Sequence, residues 1–293
     1  MVSGAAVVAR TAAEVVRRAA VRLPAGTPDR FREAMGELAV EIMDAQPAMA
    51  PLVCLAREVL EAVEGAESVE EARRLAARTA EEFRAALEAR TVAVGERAAA
   101  HLPEEGTVVT LSSSSTVRAA LLERPGDTRL RVVCLESRPM REGQMLARAL
   151  AEAGIRVTYA VDAAAAALME DAAVVLMGAD SIGDAGIVNK IGSALLAREA
   201  ARREVPVIVT ADRTKFLPPG FPQPVDDDRP ADEVWKAPSG VRVWNRYFEV
   251  VPAEDVTIIV TDEGDLSPAD AVDFREEMSV PRELRAWVDA RPG

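Results

Sequence analysis

Histidine is almost missing from this 293-residue sequence; the single one is His101. Cysteine occurs twice, as Cys54 and Cys134. These shortages exclude a disulfide scaffold and the usual cysteine- or histidine-rich metal sites, and they leave a Ser-His-Asp triad without support. No metal and no cofactor is expected. There is no G-x-G-x-x-G and no Walker lysine, so a dinucleotide or P-loop site is a poor reading. No apolar run is long enough to span a bilayer. The first twenty residues lack the apolar core of a signal peptide, because Arg10, Glu14, Arg17 and Arg18 interrupt it. A cytoplasmic protein without a membrane partner is expected.

Lysine is scarce as well. Lys190, Lys215 and Lys236 are the only ones, and the other basic residues are arginine. Where composition has turned lysine into arginine, a surviving lysine can mark a position at which the two are not interchangeable; chance explains three survivors equally well. Positive charge is short overall, with a net charge of −13. Nucleic acid is therefore not an expected partner, since phosphate backbones need a basic footprint. A small phosphorylated ligand in a locally basic pocket remains compatible with that balance.

Hydrophobic residues make up 49% of the chain, ample for a packed core in one large or two small domains. Residues 4–101 carry helical periodicity, as in Phe31, Met35, Leu38, Ile42 and Met43. Ser68 and Glu71 form a capping-box signature opening a long Ala/Glu/Arg helix that ends near His101, read as a C-terminal dipole partner. After Pro103 the pattern changes. Short apolar runs at 107–111, 130–135, 156–160, 173–177, 206–210 and 256–260 alternate with helical stretches at 115–122, 142–153, 164–169 and 187–203. This is the grammar of βαβ units around a parallel sheet. The fold class is α/β: a helical N-terminal domain over 1–103, then a Rossmann-like domain over 104–293. Residues 211–248 hold six prolines and read as a long irregular connection.

In parallel sheets ligands gather beyond the carboxyl ends of the strands. Ser112, Ser113, Ser114 and Ser115 follow the first run and open a helix. Their hydroxyls and free amides suit a phosphate, although plain N-capping by Ser113 or Ser114 explains them too. Arg138 follows the second run and could clamp a phosphate, or simply pair with Glu136 or Glu142. Asp162 ends the third run, Asp180 the fourth, and Asp212 to Lys215 follow the fifth. Asp180 reads as an acid/base group, a sugar-hydroxyl ligand, or a turn aspartate. Asn189 and Lys190 are placed at a helix start, where a lysine opposes the dipole and implies an anion nearby. Both cysteines read as small core residues.

As an ordered set, Glu136–Gly143 (E-S-R-P-x-x-E-G), Gly178–Asp180 (G-A-D) and Asn189–Gly192 (N-K-I-G) resemble one family. It comprises the alpha, beta and delta subunits of translation initiation factor 2B, methylthioribose-1-phosphate isomerase and ribose-1,5-bisphosphate isomerase. The resemblance implies a helical domain on a Rossmann-like domain, a homodimer, and a phosphorylated sugar or nucleotide as partner. It implies a pocket lined by Ser112, Ser113, Ser114, Ser115, Arg138, Asp180, Asn189 and Lys190. In the isomerases a Thr-His-Cys motif supplies a thiol that works with the G-A-D aspartate. Here those positions are Thr110, Leu111 and Ser112, so Asp180 is retained and the thiol is not. Two arginines of the isomerases are also missing, at Ser3 and Gln46. The expectation is an initiation factor 2B-like protein that keeps a sugar-phosphate or nucleotide pocket and is regulatory or weakly catalytic. The alternative is an aldose–ketose isomerase of a ribose 1-phosphate, with Asp180 as acid/base and Ser112 or a water in place of the thiol.

Overall fold

Alanine, glutamate and arginine dominate residues 69–100, and in the computed structural model they form one 32-residue helix. The structure describes residues 4–124, 129–225 and 229–291. Three helices precede the long one: α1 (Ala5–Arg22), α2 (Pro28–Ala45) and α3 (Ala50–Ala62). The long helix is α4 (Val69–Ala100). Its start uses the capping signature: Ser68 Oγ accepts from the Glu71 amide at 3.1 Å, and the Glu71 carboxylate accepts from the Glu67 amide at 3.0 Å. At its end His101 Nε2 lies 2.7 Å from Asp265 Oδ2.

The remaining elements alternate. They are β1 (Glu105–Leu111), α5 (Ser115–Leu122), β2 (Arg129–Leu135), α6 (Gly143–Glu152), β3 (Arg156–Ala160), α7 (Ala165–Leu168) and β4 (Ala172–Gly178). Then come β5 (Ser181–Gly183), β6 (Gly186–Lys190), α8 (Ser193–Arg202), β7 (Val207–Thr210) and β8 (Phe248–Val251). Last are β9 (Ile258–Val260), β10 (Asp265–Leu266), α9 (Asp270–Glu276) and α10 (Arg282–Asp289). A seven-stranded sheet has the order β10-β9-β7-β4-β1-β2-β3, parallel except for the β10–β9 pair. The chain winds outward from β1 to β3, then returns to place β4 on the other side of β1. That reversal opens a crevice at the carboxyl ends of β1 and β4. Among the described residues, no helix is long and apolar enough to cross a membrane.

One expectation fails here. The helix expected over 187–203 begins only at Ser193; Ile187 to Lys190 belong to β6. This strand is the centre of a second, antiparallel sheet, β5-β6-β8, paired on both edges. Tertiary pairing overrides local preference, and the dipole argument for Lys190 does not apply.

The helical core is closed by residues from the far end of the chain. Leu284 and Trp287 of α10, with Phe221 and Phe248, join Phe31, Met35 and Phe83 in one buried cluster. Trp287 stacks on Phe221 at 5.2 Å and donates from Nε1 to Asp44 at 2.7 Å. Arg32 of α2 forms a buried ion pair with Glu283 of α10. Close packing allows little slack: a Cβ on Gly36 would stand 2.8 Å from the Glu283 Cβ.

That pair makes α10 sensitive to acid. Burial alone raises the Glu283 pKa, but hydrogen bonds from Arg32 and Arg282 outweigh it and hold the group below 4.5. A depressed folded-state value means the stabilisation is present above the unfolded value and is lost as pH falls through the folded one. Trp287 fluorescence is expected to report loosening of α10 on acidification before the main sheet unfolds. Glu283→Ala, which leaves Arg32 buried and poorly paired, is expected to cost about 3 kcal/mol by urea titration.

Candidate functional site

A cavity of about 230 Å3 lies at the crevice between the ends of β1 and β4. Its floor begins where β1 stops. Ser112 adopts a left-handed backbone (φ 61°), an uncommon conformation for serine. Its amide donates to Ser137 Oγ at 2.6 Å. The turn carrying Ser137 is anchored in turn: the Ser137 and Arg138 amides donate to the two oxygens of Asp162, at 2.7 and 2.8 Å. The third strand end therefore shapes the first through one intervening turn.

Ser114 caps α5. Its Oγ accepts from the Val117 amide at 3.4 Å and lies 2.8 Å from Thr116 Oγ1, which reaches Thr210 Oγ1 at 2.8 Å. The glycine of G-A-D is required by this approach, since a Cβ on Gly178 would stand 2.6 Å from Ser114 Oγ. Asp180 faces the same cavity. Its backbone is held from both sides: the amide donates to Val188 O at 2.8 Å, and the carbonyl accepts from the Ala50 amide at 3.1 Å. The first turn of α1 reaches the cavity through Gly4, Ala5 and Ala6, and its N-cap makes no side-chain hydrogen bond. Ser3 lies outside the described residues.

Ser112, Ser113, Ser114, Ser115, Asp180, Asn189 and Lys190 all line this one space. Arg138 does not. The Asp162 clamp turns its side chain outward, where Nη2 donates to Val234 O at 3.1 Å on the long connection. Gln46 is not among the lining residues either.

Lys190 is not a surface lysine. Its side chain is 5% exposed, and Nζ lies 2.6 Å from Glu142 Oε1, itself 11% exposed. The ammonium also sits over the rings of Tyr247 and Phe248, at 5.1 and 5.2 Å. The other carboxylate oxygen, Glu142 Oε2, is buried without a partner among the described residues. Asn189 Nδ2 donates to Ser193 Oγ at 2.9 Å, which donates to Lys190 O at 2.6 Å. The amides opening α8 are taken by Glu249, whose Oε1 accepts from Gly192 and Ala194 at 2.8 Å each.

Four charged lining residues were not among the expected site residues, Arg118 of α5 being the first. Glu142 is another, visible in the sequence only as the second glutamate of E-S-R-P-x-x-E-G. Asp212 and Lys215 are the others, following β7. Asp212 is 5% exposed and Lys215 8%. The Lys215 side chain makes no hydrogen bond or ion pair with the described residues. Two of the three lysines thus line the cavity. Among the described residues, no group of three His, Cys, Asp or Glu side chains is placed to hold a metal ion.

Both thiols are remote from this chemistry. Burial pushes the Cys134 thiol in β2 up to about 12. Burial, reinforced by Glu58, raises Cys54 further. Native protein is expected to react negligibly with iodoacetamide over hours and to label both residues once unfolded, as read by intact mass. Lys190→Met is expected to destabilise by about 3 kcal/mol, because Glu142 is left buried and unpaired. Adding Glu142→Gln should return part of that loss in a denaturant double-mutant cycle.

The sequence profile of the initiation factor 2 subunit family matches residues 1–268. A ribose 1,5-bisphosphate isomerase of Haloterrigena turkmenica is 34% identical over 94% of this chain and 90% of its own. A methylthioribose-1-phosphate isomerase of Trichoplax adhaerens is 35% identical, but over 48% of this chain and 42% of its own. Among solved structures, the translation initiation factor eIF-2B of Pyrococcus horikoshii OT3 superposes with a TM-score of 0.79 at 28% identity, covering 93% of this chain and 94% of that one.

Proposed function

The chain belongs to the initiation factor 2 subunit family, and we propose that it is an aldose–ketose isomerase of a ribose 1-phosphate, with ribose 1,5-bisphosphate as substrate. The observation that carries this reading is Lys215. Lys215 is 8% exposed as a residue and lines the cavity, and its ammonium pairs with no carboxylate among the described residues, so its charge is available to an anion there. Ser115 and Thr116 of the first turn of α5 line the same space, so a phosphate would meet a helix N-terminus and the Lys215 cation together. Lys190 is a weaker candidate for the same task, because Glu142 already neutralises it.

The sugar-facing groups support isomerisation over mere binding. Moving a carbonyl from C1 to C2 requires proton transfers at two oxygens, which calls for acid/base groups beside the ring. Asp180 lines the cavity together with Ser112 to Ser115, and Ser114 Oγ approaches Gly178 of the same G-A-D turn. The coverage of ribose 1,5-bisphosphate isomerases along nearly the whole chain favours this reading over the regulatory one expected from the missing thiol. The same coverage favours a bisphosphate over methylthioribose 1-phosphate.

Phosphorus NMR of the protein with ribose 1,5-bisphosphate tests the reading. New resonances of the ketose bisphosphate are expected, and Asp180→Asn should remove them while the substrate lines still broaden. Lys215→Met is expected to weaken substrate binding by roughly 10- to 100-fold, the loss of one charge-assisted contact. Broadening without product in the unaltered protein would restore the regulatory reading. Unchanged spectra would sink both.

A further inference from the structure

The isomerase reading leaves a chemical gap at Ser112. Two proton transfers are needed, and a serine hydroxyl with no adjacent base is a poor participant in either. The sheet supplies another group. In the β4–β7 pair Gly178 lies opposite Thr210. Asp180 and Asp212 each follow that rung by two residues, just past the ends of strands that lie about 4.8 Å apart. Both face the cavity. Asp212 is 5% exposed and held in place: its Oδ1 accepts from the Thr214 amide at 2.9 Å and from the Thr214 hydroxyl at 2.5 Å. Its Oδ2 accepts no hydrogen bond among the described residues.

Resting on the isomerase reading, we propose that Asp212 is a catalytic residue that forms a carboxyl pair with Asp180 and does the work for which Ser112 is unsuited. One member enters protonated and the other ionised. The protonated member gives its proton to the ring oxygen as the C1–O4 bond breaks, with the bonding pair going to oxygen. The C2 hydrogen then moves with its bonding pair to C1. The C2–O bond becomes a carbonyl as the C2 hydroxyl proton passes to the ionised member. One proton is given and one taken, so the pair ends with the same total charge and resets by exchange. The pair needs no thiol, metal or redox partner. The immobilised Oδ1 of Asp212 leaves Oδ2 as the working oxygen.

Asp212→Asn separates chemistry from architecture, because an amide oxygen can still accept both Thr214 donors while the charge and the ionisable proton are gone. The expected result with ribose 1,5-bisphosphate is a fall in kcat of at least about 100-fold. The dissociation constant should stay within about threefold, and Asp212→Glu should recover part of kcat. An Asp212→Asn protein that keeps its kcat overturns the proposal, as does one whose entire loss is in substrate binding. If Asp212→Asn proves unstable, Thr214→Val decides, since it removes the hydroxyl cap and keeps the carboxylate. A kcat loss of about 100-fold or more in Thr214→Val would assign Asp212 to the turn and overturn the proposal, whereas retained kcat supports it. An unaltered protein without turnover would sink the isomerase reading and this assignment together. Turnover that survives in Asp212→Asn sinks this assignment alone.

Discussion

The sheet reverses its direction of winding between β1 and β4, and the site exists because of that reversal. Strands laid down on opposite sides of β1 send their connections to opposite faces, so the carboxyl ends of β1 and β4 are left uncovered. Hydroxyls from one end and a carboxylate from the other then meet without any loop having to travel. β7 adds Asp212 and Lys215 from the next position out, and the small sheet adds Asn189 and Lys190 from the side. The left-handed serine at the end of β1 turns the chain sharply enough for α5 to present its first turn to the space between them.

The polarity of this space is uneven in a way that suits a sugar phosphate. Lys190 is locked to Glu142 and packed against two aromatic rings, so its charge is already spent on the fold. Lys215 is also largely buried as a residue, but its side chain has no carboxylate partner among the described residues. Desolvated charges are costly singly and tolerable in pairs. A ligand phosphate can complete a pair at Lys215, whereas at Lys190 it would have to compete for one.

Much of this was legible in the amino-acid pattern, and the reasons are local. Apolar runs bounded by polar clusters announce a buried parallel sheet, because each strand is covered on both faces. The polar residues after each run announce the site for the same reason, since only the strand ends escape burial. The Ser68–Glu71 cap is legible because both partners lie within one turn. What could not be read depends on distant partners. Ile187 to Lys190 look helical until β5 and β8 pair with them, across separations no periodicity reports. Arg138 looks like a clamp until Asp162 takes its backbone and the side chain swings out. Glu142 looks like a partner for Arg138, and only the fold pairs it with Lys190.

The contact between Arg32 and Glu283 spans 251 positions along the chain. Antiparallel helices usually assemble quickly because their contacts are local, and loop closure over long separations slows a fold. Here a bundle built mostly of neighbours takes its final face from α10, so its helices can collapse early while its last side remains wet. The last face of the bundle is therefore closed only once the intervening α/β region has brought α10 back against α2.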